Sequence, residues 1–546
     1  MDIVRSFYRK LISKLLRNRT SEGNNSSNSD NHHVTISRNS YHSSSRNTGK
    51  SRKSINRELR MPRSAAERVW KIPELVLLVV EFAPPRTWPT LCLLTWTCHE
   101  IVQPHMWKTI ACHTLAAFRN IQPHIRKHIH HLETLRIDAL TTPCVSGLLQ
   151  ELSPIQVLPH VTSLSLRHIR ITVDQLSDLL EKLPQLKEID IRGSVLYKHP
   201  LVVLAQCKNI ESMALSYEDT LLPEGFDLST AFNPWKRLRR LSIVIWPETG
   251  SDDTLRQFED VIRKSQLDLE SLELSVPYWG ANTITGIIER NSSLKRLVLS
   301  DCNLSEQGWT QVLPSLASLQ SIAFQCQGVH TIESRMRVFQ ACPLIQHIDL
   351  KGFNISNQHF MVLAESASAL TSLTLNNCQF ASDGLRLILD QCTELERLQV
   401  HDLTGKGAIK DLFYKPWACN KLQELVFNNI TWLPYDMCFQ EFVKDSLQMM
   451  WTTLRKLNRL RILTMRHINR TDSIGLGIHW LGAPLCLEQL CLTGHGPWKQ
   501  EELVWIAEKL PWLDELEYND KEMDTTLQSW LRKSRPDLRL VAPTRG

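Results

Sequence analysis

Fifteen times between Leu132 and Tyr518 the chain repeats one six-residue pattern: apolar, two variable, apolar, one variable, apolar. Leu294, Leu297 and Leu299 make one copy; Leu370, Leu373 and Leu375 another; Leu422, Leu425 and Phe427 a third. Successive copies start 24 to 31 residues apart, except for one interval of 38 before Leu460. The second and third apolar positions are two apart, so on a short strand they share one face. They are predicted to face a core while the variable positions between them face out. Several units then place Cys or an apolar residue at the next inward positions: Cys302 and Leu304, Phe353 and Ile355, Cys378 and Phe380. The rest of each unit, such as 382–392, predicts a helix running back. One such unit cannot bury its own apolar face, whereas stacked neighbours complete a continuous core. The expected architecture is an α/β solenoid, an extended surface suited to holding another macromolecule.

Most starts lie 25 to 27 residues apart, and three cysteines recur three residues before a copy: Cys207, Cys342 and Cys392. Cys302 and Cys378 share a slot after theirs. These features resemble the cysteine-containing leucine-rich repeats over roughly 400 residues, within the repeat length of that class. The resemblance implies a leucine-rich-repeat horseshoe over 113–546. At 546 residues length alone would allow several domains, but the repetition assigns most of the chain to one. The fourteen cysteines sit singly, with no C-x-x-C pair, as small buried hydrophobes. With no secretory signal and no run of eighteen apolar residues, a reduced cytoplasmic or nuclear setting is expected.

Charge is uneven. Residues 1–65 hold fourteen Lys and Arg against four Asp and Glu, out of 63 and 57 in the whole chain. The body is therefore slightly acidic, which argues against nucleic-acid binding by it. Residues 3–17 predict a basic amphipathic helix, its apolar pairs recurring every four residues between Arg5, Arg9, Lys10, Lys14 and Arg17. Peripheral membrane contact by 1–17, an acidic partner groove, organelle targeting and a weakly docked tail all fit. Residues 18–65 are rich in Ser, Asn and Arg and too polar for a core, so they are expected to be a disordered linker.

Residues 66–112 differ from both flanks. Ile72, Pro73, Glu74 and Leu75 open an apolar run to Phe82, with Pro73 well placed in a first helical turn. Ala83, Pro84 and Pro85 break that helix. A second apolar stretch covers Leu91 to His99, and Pro104 to Trp107 close the segment. The segment resembles an F-box. Ile72 to Leu75 answer its Leu-Pro-x-Glu-Leu/Ile-like opening, Leu94 to His99 its helix-pair core, and Met106-Trp107 its apolar-Trp end. The opening Leu is Ile here; the usual Arg-x-Trp is missing, and Trp96 stands earlier than that tryptophan would. The resemblance implies that Ile72, Pro73, Leu75 and Leu78 contact a Skp-type adaptor, which recruits a cullin and its ubiquitin-conjugating machinery. Without the resemblance, 70–110 reads as a helical cap on the first repeat.

No catalytic constellation or cofactor site emerges. Gly49-Lys50-Ser51 ends like a phosphate loop, but Ser44 stands where the first glycine belongs. His99-Glu100 begins a zinc-protease motif whose second histidine position is Gln103. His124, His128, His130 and His131 lack a third ligand at metal spacing and suit a solvated basic helix.

The variable positions of parallel repeats form rows on the concave face. The first row contains Arg240, Arg296, His347 and Arg397 among serines. The next is mostly small, including Ser165, Ala214, Ser242 and Ala323, leaving the middle of the face open. A third holds Arg167, Arg192, Lys351, His401 and Arg466. The cations Arg167, Arg192, Arg240, Arg296, His347, Lys351, Arg397 and His401 are the candidate contacts to a client protein, able to meet carboxylates or phosphates. The 38-residue interval carries Trp432 to Phe442 and Met449 to Trp451, readable as a binding insertion or a longer core helix. The expected function is a non-enzymatic substrate receptor of a Skp-cullin-F-box type ubiquitin ligase, with catalysis by proximity in its partners. The alternatives are a leucine-rich-repeat scaffold or inhibitor outside the ubiquitin system and, less well matched, a small-GTPase activator.

Overall fold

A computed structural model describes residues 72–82, 88–93, 95–113, 115–138, 157–196, 201–217, 235–245, 267–277, 279–302, 304–401, 412–428, 440–466, 478–482, 486–493, 498–518, 523 and 525–541. The expected helix over 3–17, the linker that follows it, and Trp432 lie outside these residues. The chain divides into two compact units, Met1–Thr109 and Ile110–Gly546.

In the first unit the described helices are Pro73–Phe82, Trp88–Cys92 and Trp96–Lys108. The carbonyl of Ile72 accepts the first helical bond from Val76 N–H at 3.1 Å, so Pro73 occupies a position that needs no donor. The apolar stretch from Leu91 to His99 does not form one helix. It turns at Leu93, and the Thr95 hydroxyl accepts from Cys98 N–H at 3.1 Å to cap a new helix. Pro104 does not end that helix, which runs on to Lys108. Val76, Val80, Leu91, Cys98 and Val102 form a buried cluster, with Val79, Trp88, Cys92, Ile101 and Met106 packed around it.

In the second unit the repeat pattern becomes a parallel sheet, the larger of two sheets, with eighteen strands among the described residues. Register is kept without a slip along the first row: Ser271, Arg296, Ser321, His347, Ser372, Arg397 and Glu424 are successive partners. The backbone repeats one device at each step. Lys295 and Arg296 N–H both donate to Glu270 O (2.8 and 3.0 Å), and Gln320 and Ser321 N–H both donate to Lys295 O (2.8 and 2.9 Å). Leu272 and Leu274, Leu297 and Leu299, Leu373 and Leu375 and their counterparts are buried, as the alternation requires. The return helices Ala281–Glu289, Asn357–Ser366 and Ser382–Gln391 bury their apolar faces, and the cysteines join this core. The Cys342 thiol donates to Leu316 O at 3.2 Å, and Cys302 and Cys378 donate to Leu274 O and Leu350 O of the preceding strands. Burial pushes the Cys302 thiol up to about 12 and those of Cys342, Cys378 and Cys392 up to about 11, which makes them packing groups rather than nucleophiles.

The position five residues after the first-row residue turns left-handed in repeat after repeat: His168 (φ 57°), Gly193 (69°), Asp301 (54°), Gly352 (79°) and Asn377 (47°). Gly, Asn, Asp and His tolerate this conformation best. Two of these turns hand their N–H to the next strand, Asp301 to Gln325 O at 2.8 Å and Asn377 to His401 O at 2.9 Å. At Gly193 an added Cβ would also lie 2.5 Å from His168 Nδ1. Gly193→Ala is expected to cost about 1–3 kcal/mol, seen as a lower denaturation midpoint; an unchanged midpoint would contradict the turn assignment.

Among the described residues, two strands lie beyond the first and last of the fifteen copies. Thr109–Cys112 pairs with Thr134–Asp138, and Arg539–Val541 pairs with Glu515–Glu517. The last was hidden because Asp537 takes the opening apolar slot. Arg535 binds Asp537 there (Nε to Oδ1 3.1 Å) and donates to Leu510 O and Leu513 O (3.0 and 2.9 Å).

Candidate interaction surfaces

The three described helices of the first unit share a buried cluster and still leave large apolar side chains outside it. Ile72 and Leu77 are exposed, Leu93 is 71% exposed and Trp96 73%, the indole stacking on the His99 ring at 5.5 Å. Pro73 is exposed as well. Leu75 and Leu78 lie on the helix Pro73–Phe82, but their side chains fall outside the described residues. Exposed apolar groups mark a surface that another molecule covers where they form one patch, whereas single ones are ordinary. Among the described residues no helix is long and apolar enough to cross a membrane.

On the open face of the repeat sheet the ladder arranges the rows as the spacing predicts, but their chemistry differs from the expectation in two respects. The middle row is not simply small: beside Ser165, Ala214 and Ser242 it carries Asp190, Glu273, Asp349 and Glu517. Nor does it stand open throughout, since Ser242, Val298, Ala323 and Val426 are buried between longer neighbours. These acids hold several of the candidate arginines. Arg167 Nε and Arg192 Nη2 donate to Asp190 Oδ2 at 2.9 and 3.0 Å, and Arg192 Nη1 reaches Glu273 at 3.2 Å. Burial works against the Asp190 charge, but the hydrogen bonds from Arg192 and Arg167 win and hold its carboxyl below the ordinary range. Arg240 pairs with Glu188, and Arg466 with Glu517.

The remaining candidates gather farther along. His347 accepts or donates to the Thr371 hydroxyl at 3.3 Å, and burial, then Arg397 and Arg296, lower its pKa. His401 meets Asn428 Nδ2 at 2.8 Å. Between them Asp349 is pushed up by burial despite Lys351, His401 and Arg296, and its Oδ1 is buried without a hydrogen-bond partner. Arg296, Lys351 and Arg397 are exposed. The sequence reading missed Arg136, exposed in the middle row beside Ser165. Its signal was legible, since it occupies the same repeat position as the small residues.

The histidine group resolves into a helix Leu115–His128 and a short turn Ile129–His131. His128 is buried rather than solvated, its pKa lowered first by burial and then by Lys127. Among the described residues no group of three His, Cys, Asp or Glu could hold a metal ion. In the long interval the helix Gln440–Leu454 buries Met450 and Trp451 and leaves Met449 exposed.

No family model matches the chain. It is similar to an Arabidopsis thaliana protein named as an F-box/LRR-repeat protein, with 26% identity over 232 residues, 41% of this chain and 70% of the relative. Among solved structures it is similar to an internalin from Listeria monocytogenes (13% identity, TM-score 0.34, 73% of this chain and 89% of that one). It is likewise similar to a leucine-rich-repeat protein of Leptospira interrogans (14%, TM-score 0.34, 80% and 99%). Its ladder of parallel repeat strands is that of a leucine-rich-repeat fold, and over part of its length the chain is similar to an F-box/leucine-rich-repeat protein.

Proposed function

We propose that the chain is the substrate-recognition subunit of a Skp-cullin-F-box type ubiquitin ligase. The observation that carries this reading is the apolar surface of the three-helix unit. Ile72, Leu77, Leu93 and Trp96 are exposed, outside the buried cluster of Val76, Val80, Leu91, Cys98 and Val102, and so are available to a protein partner. A Skp-type adaptor would take that surface through Ile72, Pro73, Leu75 and Leu78, and bring a cullin with it. A client protein would rest on the open sheet face, against Arg167, Arg192, Arg240, Arg296, His347, Lys351, Arg397 and His401. The chain itself contributes no bond-making step. It raises the local concentration of client at a transfer centre held by its partners, and such positioning accounts for a large share of catalysis in general.

The reading is tested by titrating the full chain with purified adaptor, alongside Pro73→Ala/Leu75→Ala and Leu93→Glu/Trp96→Glu variants. Parent binding and a loss of roughly 30-fold or more in each variant are expected, since buried interface anchors cost about 2 kcal/mol or more when lost. Leu93 and Trp96 are exposed, so the second variant should melt like the parent. Full binding by that folded variant would remove those residues from the interface. No binding by the folded parent would leave a repeat scaffold outside the ubiquitin system.

A further inference from the structure

The open face holds a recess of about 340 Å³ among the residues of its N-terminal repeats. Five arginines line it, Arg136, Arg167, Arg192, Arg240 and Arg296, against three carboxylates, Glu188, Asp190 and Glu273. All three acids are engaged: Asp190 by Arg167 and Arg192, Glu273 by Arg192, Glu188 by Arg240. Arg136 and Arg296 are exposed and have no ion-pair partner among the described residues. The recess is thus more positive than negative on a body that is slightly acidic.

A second, independent feature lies on its floor. Ser242 is only 8% exposed, and its hydroxyl has no hydrogen-bond partner; the Ser165 hydroxyl is buried and unpartnered too. A buried polar group left unmade is unfavourable, and a ligand supplying an acceptor would remove that cost. Register places the groups together. Arg240, Ser271 and Arg296 are successive partners in one row, and Ser242 stands two residues beyond Arg240 on the same face. With strands about 4.8 Å apart, both arginines reach an anion seated over Ser271.

We propose that this recess binds a phosphorylated peptide segment, its phosphate held between Arg240 and Arg296 with the Ser242 hydroxyl donating from below. Three donor groups match the three terminal oxygens of a phosphate, whereas a carboxylate offers two. Arg240 would exchange Glu188 for the phosphate at little cost, because that pair is exposed on both sides. Arg136 offers a second positive point for an acidic neighbour in the same peptide. As a statement about clients this rests on the receptor reading above; as a statement about binding it stands apart from it.

The test uses the full chain and fluorescein-labelled peptide pools with a fixed central phosphoserine, aspartate or serine and randomised flanks, read by fluorescence anisotropy. The phosphoserine pool is expected to bind roughly tenfold or more tighter than either other pool, and to weaken with added salt. Arg296→Ala and Ser242→Ala should each cost roughly tenfold, the scale of a lost hydrogen bond to a charged group. Lys533→Ala, on the exposed face of the helix Thr525–Ser534, should change nothing. Arg296 is exposed and makes no ion pair among the described residues, so its variant should keep the parent's melting midpoint. Equal binding of the three pools, or parent-level binding by folded Arg296→Ala, would overturn the proposal. So would an oligoribonucleotide that binds as tightly and displaces the peptides. Adaptor capture is measured on the same preparation: adaptor binding without peptide binding sinks this inference alone, and peptide binding without adaptor binding sinks the receptor reading alone.

Discussion

Arg386→Met is expected to lower the unfolding free energy by about 3–5 kcal/mol, the scale of removing one partner from a buried charged network. Arg386 is only 4% exposed, on the helix Ser382–Gln391. Its guanidinium donates to three backbone carbonyls of the next connection: Leu412 O at 2.6 Å, Lys415 O at 2.7 Å and Pro416 O at 3.0 Å. Nε donates to Asp390 at 2.9 Å, and the Tyr414 ring lies 5.1 Å from the charge. One planar fork therefore satisfies acceptors that no strand or helix takes up. Methionine matches the stem but takes the charged donor from all three carbonyls, and only the Leu412 carbonyl keeps a donor shown here, the neutral Trp417 indole N–H at 2.7 Å. Lysine should rescue little, because an ammonium cannot span three divergent acceptors. Urea denaturation and limited proteolysis at 412–417 check this. A midpoint equal to the parent's would show that the connection is held by something else.

Trp235→Ala carries the second large effect, about 3–5 kcal/mol for emptying a fully buried aromatic site. Trp235 is 0% exposed, and its indole N–H donates to Leu204 O at 3.3 Å and Cys207 O at 3.1 Å, both in the preceding repeat. It stands three residues before the Leu238 copy, in the slot that Cys207, Cys342 and Cys392 fill elsewhere and that a fourth cysteine, Cys419, fills before Leu422. The backbone accordingly does the same thing there: Leu238 N–H donates to Trp235 O at 3.0 Å, as Ile345 N–H donates to Cys342 O at 3.2 Å. Trp235→Cys should therefore keep the turn yet still lose most of the stability, since a thiol cannot fill the volume of an indole. Trp235→Phe should lie between. Equal stability of the parent and the Cys variant, measured by calorimetry, would mean the site collapses without cost.

How far the sequence disclosed the molecule follows from which forces act locally. The strands were legible because alternation is a property of neighbouring residues: Leu373 and Leu375 face inward in the structure as the pattern demands. The last strand was not legible, because Arg535 and Asp537 replace an apolar contact by an ion pair that exists only after folding. The recurrent left-handed turn was also missed. Its residues, His168, Gly193, Asp301, Gly352 and Asn377, share a backbone tolerance rather than a polarity, so a hydrophobic pattern does not register them. On the open face the rows followed from register, but the state of each arginine did not. Arg167 and Arg192 sit 25 residues apart in sequence and meet on one carboxylate, Asp190, whereas Arg296 meets none among the described residues. In the first unit the turn at Leu93 and the cap at Thr95 split what polarity alone joined. That split leaves Trp96 facing outward rather than packed in a core.

Everything proposed for the helices Pro73–Phe82, Trp88–Cys92 and Trp96–Lys108 depends on their recruiting a ubiquitin-ligase adaptor. The most direct measurement is size-exclusion chromatography with light scattering of the intact chain mixed with a purified Skp-type adaptor, without client. One co-eluting species with the summed mass of one chain and one adaptor is expected. Separate elution of a folded chain and its adaptor at micromolar concentrations would contradict it.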